Sequence, residues 1–205
     1  MIVIGRQCGS GGREIGKKLA QKLGISYYDR RLLTDVSEEH GLRTDLLEKH
    51  DERRRSGLAS WLASSCGAHH ASYSPSLLAE GALKNLQEER VRTLVEGGSC
   101  VIVGRGADYI GRDLPHVVSV FLHAPLEVRV NRIMQSEAPD LSQSEVIEMV
   151  NRTDRRREVY YNDFTGRKWG AADNYHLSFD TSIVAPDTIV EMIETYIHSM
   201  CGNRS

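Results

Sequence analysis

The chain has 205 residues, 40% of them hydrophobic and 26% charged, the proportions of a soluble globular protein that can bury a substantial core. Its 26 basic and 28 acidic residues leave a net charge of −2, which argues against a dedicated nucleic-acid binder but not against a local basic patch over a small anion. No apolar run approaches the ~20 residues of a membrane span. No cationic leader is read ahead of the first strand, and Cys8, Cys66, Cys100 and Cys201 are too widely spaced for a zinc or redox pair, so reduced thiols in a cytoplasmic protein are expected.

Ile2–Ile4 is a short β-branched run, the pattern of a strand covered on both faces. A loop rich in glycine follows from Gly5 to Gly12. Ile15, Leu19, Ala20 and Leu23 then recur at helical spacing until Gly24. Ser26–Tyr28 predicts a second strand ending at Asp29, and Arg30–Glu39 a helix. Between 40 and about 98 no strand is predicted. Leu42–His50 reads as a short helix. Residues 51–76, with the charged run Asp51–Arg55, Trp61 and the pair His69-His70, read as a mobile flap or a loosely packed helix. Leu77–Glu96 reads as a helix closed by Gly97-Gly98.

Cys100–Val103 and Val117–Leu122 predict the third and fourth strands. Pro125–Met134 predicts a helix opened by proline, and Ser142–Asn162 a long helix rich in arginine. Leu177–Asp180 predicts the fifth strand and Pro186–Met200 a closing helix. Strands alternating with helices imply parallel β-α-β units.

Gly9-Ser10-Gly11-Gly12, between the first strand and its helix, forms either a phosphate cradle or a tight β-α turn. Glycines let main-chain N–H groups turn toward an anion, and a helix N-terminus adds favourable partial charge. The match to G-x-x-x-x-G-K-[ST] is incomplete. Gly12 stands at the lysine position, and Arg13 and Glu14 follow where a hydroxyl residue is usual. Arg13 is a candidate to neutralise phosphate in the lysine's place.

Asp29, beyond the second strand, is either a ligand group at the carboxyl edge of the sheet or the cap of the next helix. Arg105, between Gly104 and Gly106, has room for a bidentate phosphate contact or is a solvated turn arginine. Arg152, Arg155 and Arg156 share a helix face by their spacing, either a phosphate clamp or a solvated stripe. The aromatic run from Tyr160 to Gly170 reads as a hinged flap. His69 and His70 point apart on a helix and are not expected to hold a metal. Cys8 lies in the loop, where packing is its expected role, and no Ser/His/Asp arrangement stands out.

With these residues in place, the chain resembles the cytidylate kinase-like family, a branch of the P-loop nucleoside monophosphate kinases. The resemblance runs along nearly the whole chain. It is carried by Gly9-Ser10-Gly11-Gly12-Arg13-Glu14-Ile15-Gly16, Tyr27-Tyr28-Asp29, Val101 to Tyr109, and Tyr160 through Gly170 into Asn174-Tyr175. It implies a single P-loop NTPase-like α/β domain over 1–205, a five-stranded parallel sheet flanked by helices. Within it the resemblance implies a helical substrate-side insert at 35–98 and an arginine-rich lid at 150–170. It also implies ATP and Mg²⁺ as cofactors, with ATP on Gly9, Ser10, Gly11, Gly12, Arg13 and Glu14. A nucleoside monophosphate would lie against Asp29, Arg105 and Arg132. Arg13, Arg105, Arg152, Arg155 and Arg157 would surround the transferring phosphoryl group, with Arg129 on the helix after strand four.

The implied activity is ATP-dependent phosphoryl transfer to a nucleoside monophosphate such as CMP or dCMP, with no nucleic-acid or membrane partner. The chain departs from cytidylate kinases proper at Gly12, in the residues after Asp29, and at Val103-Gly104-Arg105-Gly106. Two alternatives therefore stay open: a catalytically weak or inactive nucleotide-binding module, and a kinase for another small phosphate acceptor.

Overall fold

Five short strands form one sheet, every neighbouring pair parallel, in the order β2-β3-β1-β4-β5. They are β1 (Ile2–Arg6), β2 (Ser26–Tyr28), β3 (Cys100–Val103), β4 (Val118–His123) and β5 (Leu177–Asp180). The computed structural model describes residues 1–29, 88–89 and 91–202. Contacts divide the chain into two units, Met1–Asp29 with Val91–Ser205, and Arg30–Arg90. The helices expected at Arg30–Glu39 and Leu42–His50, the 51–76 stretch with its paired histidines, and most of the 35–98 insert lie outside the described residues. Of the helix expected over Leu77–Glu96, residues 88–89 and 91–96 are described and helical.

The α/β architecture is the one the alternating pattern predicts. β1 lies at the centre, where it hydrogen-bonds to β3 on one side and β4 on the other. A central parallel strand is buried on both faces, which is why β1, β3 and β4 read as continuous apolar runs. Alternate side chains divide between the faces. Ile2, Ile4, Val101, Val103, Val118, Val120 and Leu122 pack with Ile15, Leu19 and Ala20 of α1 (Gly12–Leu23), and with Ile189, Val190 and Ile193 of the C-terminal helix (Pro186–Gly202). Val3, Ile102 and Phe121 take the other face.

Besides α1, the helical residues 88–89 and 91–97, and a 3-10 turn at Ala172–Asn174, the described chain holds four further helices. α2 (Ala107–Ile110) is a single turn that sequence periodicity is too short to reveal. α3 (Leu126–Ser136) follows Pro125, and α4 (Gln143–Thr165) opens with a reciprocal Ser142/Glu145 capping box. α5 is the C-terminal helix (Pro186–Gly202). α3 and α4 share a second apolar cluster of Val130, Ile133, Val146 and Val150. No helix among the described residues is long and apolar enough to cross a membrane.

The stretch expected to be a hinged flap, Tyr160 to Gly170, has a different form. α4 continues through Tyr160, Tyr161 and Phe164 until Gly166 caps it in a left-handed conformation. Trp169 then packs edge-on to Phe121 with ring centroids 5.5 Å apart, and Phe121 lies 4.9 Å from Tyr175. The aromatics are anchors rather than hinge elements. The central strands carry most of the burial. Leu122→Ala, at a fully buried position of β4, is therefore expected to lower unfolding stability by about 2–5 kcal/mol in denaturant titration. A loss under about 1 kcal/mol would contradict this account of the core.

Candidate functional site

The ends of β1, β2, β3 and β4 meet at one edge of the sheet, where open α/β folds place their ligands. The loop after β1 bends at Gly9 and Gly11, both with positive φ (76° and 78°). A Cβ at Gly9 would lie 2.6 Å from the Arg129 carbonyl, so close packing on α3 requires glycine there as well. The Ser10 side chain is turned inward, its hydroxyl donating to the Gln7 carbonyl at 2.9 Å. Among the described residues, the amides of Gly9, Gly11 and Gly12 have no protein acceptor. They are the unsatisfied donors of a helix start and the loop before it. The Cys8 amide is taken: it donates to Asp154 Oδ1 at 2.7 Å.

Two arginines brace this loop from the β4–β5 side. Arg129 is buried, and donates to the Ala124 carbonyl (2.9 Å), the Cys8 carbonyl (3.1 Å) and Asp154 Oδ2 (2.7 Å). Arg132 donates to the Gly9 carbonyl (2.9 Å) and to the Thr181 hydroxyl and carbonyl (3.3 and 3.2 Å). The structure thus gives the Arg132 guanidinium, expected at the monophosphate, a scaffolding role. Glu14, expected at the nucleotide, is exposed and lies 3.6 Å from Lys18 along the outer face of α1.

On the β3–β2 side the cations converge. Arg6, the last residue of β1, donates to Asp29 Oδ1 and Arg13 donates to Asp29 Oδ2, each at 3.1 Å. Arg157 reaches back from α4 to the Arg6 carbonyl at 3.0 Å and lies 3.7 Å from Asp154. Arg105 is half-buried in a left-handed conformation (φ 66°) between Gly104 (86°) and Gly106 (64°). Three successive residues of this kind are costly for the one that carries a Cβ. A Cβ at Gly104 would run into Arg6 Nη1.

Burial, then Arg157, then Arg105 pull the Arg6 guanidinium down to about 10, against the opposing pull of Asp29. Burial likewise lowers Arg157 and raises Asp154 and the Cys8 thiol. Arg6 and Arg157 nevertheless remain cationic at neutral pH, so the edge is dense in positive charge.

The α4 arginines separate. Val146, Val150, Asp154, Arg157, Tyr161 and Thr165 form its inward stripe, whereas Arg152, Arg155 and Arg156 are exposed and Arg155 pairs with Glu158 at 2.8 Å. Counting from the apolar positions Val146 and Val150, rather than from arginine to arginine, identifies Asp154 and Arg157 as the inward pair. Arg6 and Asp154 are the site residues that sequence reasoning missed.

Among the described residues no group of three or more His, Cys, Asp or Glu side chains is arranged to hold a metal. Asp29 and Asp154 are both committed to arginine donors. Behind Arg105, Tyr161 donates its hydroxyl to the buried Asp108 carboxylate at 2.7 Å. Burial raises the Asp108 carboxyl, with the Tyr161 hydrogen bond opposing.

Solved structures share this architecture. A protein from Eubacterium ventriosum, described as uncharacterized, is 27% identical over 97% of this chain and 98% of its own, with a TM-score of 0.70. Shikimate kinase from Bacteroides thetaiotaomicron is 15% identical, covering 96% of this chain and 97% of its own, at a TM-score of 0.54. The YorR protein of Bacillus subtilis, in complex with phosphorylated GDP, is 13% identical, covering 96% and 95%, at 0.50. The fold is therefore that of the P-loop NTPase-like α/β proteins, and its neighbours in fold include small-molecule kinases. Residues 1–183 match the sequence profile of the cytidylate kinase-like family, and the chain belongs to that family. Comparison with curated proteins gives no significant match.

Two outcomes test this geometry. Gly104→Ala is expected to cost about 2 kcal/mol or more in unfolding stability, because it forces a Cβ into a left-handed residue and displaces Arg6. A neutral substitution would contradict the packing around Arg6. Asp108 has a raised carboxyl in the folded protein, so it binds its proton more tightly folded than unfolded. Its contribution to stability is fullest below the unfolded value of ~4 and is lost as pH rises through the folded value. Denaturant titrations over this range are expected to fall less with pH for Asp108→Asn than for the natural protein, and identical slopes would contradict the burial assigned to Asp108.

Proposed function

We propose that the protein is an ATP-dependent nucleoside monophosphate kinase, with CMP and dCMP the first acceptors to examine. One arrangement carries the reading: Arg6, Arg13, Arg105 and Arg157 gather beside a loop whose Gly9, Gly11 and Gly12 amides have no protein acceptor. Free amides at a helix start suit a polyphosphate. The cation cluster beside them suits a second anion and the charge that spreads over a phosphoryl group in flight.

In this reaction an oxygen of the acceptor phosphate attacks the γ-phosphorus of ATP. The bond from that phosphorus to the β–γ bridging oxygen breaks, and ADP and a nucleoside diphosphate leave. Magnesium would come with the nucleotide, since no carboxylate group among the described residues is arranged to hold it, and it would supply charge neutralisation to the phosphates. The protein's part is positioning and neutralisation: the loop amides hold ATP, Arg105 orients the acceptor, and Arg157 stands over the exchange.

Asp29 favours a phosphate acceptor over an alcohol. Both of its oxygens accept from guanidinium groups, so it is placed as an anchor rather than as a base. A phosphate is already ionised at neutral pH and needs no base, whereas a hydroxyl acceptor does.

A coupled ADP-release assay over the nucleoside monophosphates tests the proposal. Turnover is expected with at least one of them, and Arg105→Ala and Arg157→Ala are each expected to lower its kcat/KM about 10²-fold. ATP binding without turnover on any monophosphate would identify the silent nucleotide-binding module instead. Near-normal kcat/KM in both variants would remove these arginines from the mechanism.

A further inference from the structure

We infer that Arg6 supplies the phosphate-facing cation that a loop lysine would supply from position 12, so that charge and glycine have exchanged places between the end of β1 and the start of α1. This rests on the phosphate-transfer reading above and deepens it by naming the residue that takes over the missing charge.

The absence of a side chain at position 12 has a physical cause. Gly12 is the first residue of α1 and does not have a positive φ, so its backbone does not demand glycine. What excludes a side chain is Arg6: a Cβ at position 12 would lie 2.9 Å from both Cβ and Cγ of Arg6. Further along the same side chain, a Cβ at Gly104 would collide with Arg6 Nη1. Two glycines, one opening α1 and one following β3, are thus shaped around one arginine. Its stem occupies the space where a loop lysine would begin, and its head lies at the carboxyl edge beside the cradle.

The head is anchored without being used up. Asp29 accepts from Nη2 and Arg157 holds the Arg6 carbonyl. A guanidinium has five N–H donors, so a phosphate can dock on the rest of the fork while Asp29 keeps its hold. The Arg6 side chain is only 16% exposed, and the neighbouring Arg157 and Arg105 oppose its charge. A buried cation crowded by cations gains most when an anion arrives.

Arg13, the obvious candidate from the sequence, is less suited to this task. Its side chain is 53% exposed, and its guanidinium lies against two acids, Asp29 at 3.1 Å and Glu137 at 3.7 Å.

Calorimetric titration of the full chain with ATP, and separately with inorganic tripolyphosphate, tests the inference. Arg6→Gln is expected to weaken both at least tenfold, and Arg6→Lys to stay within about threefold of the natural protein. The paired exchange Arg6→Gly with Gly12→Lys is expected to recover most of what Arg6→Gln loses, with thermal unfolding confirming that each variant is folded. Natural affinity in folded Arg6→Gln would overturn the inference and leave the cradle standing. So would a folded exchange variant that regains nothing. If the exchange does not fold, Arg6→Lys decides: affinity as poor as that of Arg6→Gln overturns the inference. A natural protein that binds neither ligand would overturn this inference and the proposed function together.

Discussion

Everything at the working edge of this molecule depends on keeping like charges together, two of them, Arg6 and Arg157, largely withdrawn from water. Arg6, Arg13, Arg105 and Arg157 converge beside the ends of β1 and β3, and two carboxylates beside them, Asp29 and Asp154, each answer to two arginines. Burial makes such crowding expensive unless every cation has a fixed partner. Asp29 ties the end of β2 to the end of β1 and the start of α1. Asp154 ties α4 to the Cys8 amide and to α3. The two aspartates are thus the clasps through which separate segments of chain become one surface, and that surface still carries unspent amide donors.

Most of the frame was legible in the sequence, and for one reason. A parallel sheet with both faces covered needs unbroken apolar runs, so Ile2–Ile4, Cys100–Val103 and the run from Val117 to Leu122 announced themselves. α1 was equally plain, because its apolar period stops at Gly24. The single turn of α2 was not, since four residues give no period. Tyr160 to Gly170 misled because its aromatics suggested a flap when three of them belong to the last turns of α4.

The site was legible only in part. The glycine loop, Asp29, Arg105 and Arg157 were named from pattern and resemblance, and the structure brings them to one edge. Arg6 escaped notice because the end of a strand looks like the beginning of a loop. Asp154 was hidden among arginines, although the Val146–Val150 stripe points directly to it. Arg132 has the right charge and the right helix, but its donors go to the Gly9 carbonyl and to Thr181. Charge in a sequence does not say which anion, bound ligand or main-chain carbonyl, it will meet. The missing loop lysine is the same lesson reversed: a departure that reads as a lost function becomes intelligible once the Arg6 stem is seen filling the space above Gly12.

The central claim is that the bend after β1 is a phosphate cradle read by free amides and Arg6. Nuclear magnetic resonance on ¹⁵N-labelled protein, titrated with ADP, measures this most directly. The account predicts that the amide resonances of Gly9, Gly11 and Gly12 and the Nε–H of Arg6 move together and saturate together, while the Cys8 amide, held by Asp154, moves least in the loop. Saturable binding that leaves those glycine amides in place and shifts resonances elsewhere would contradict it.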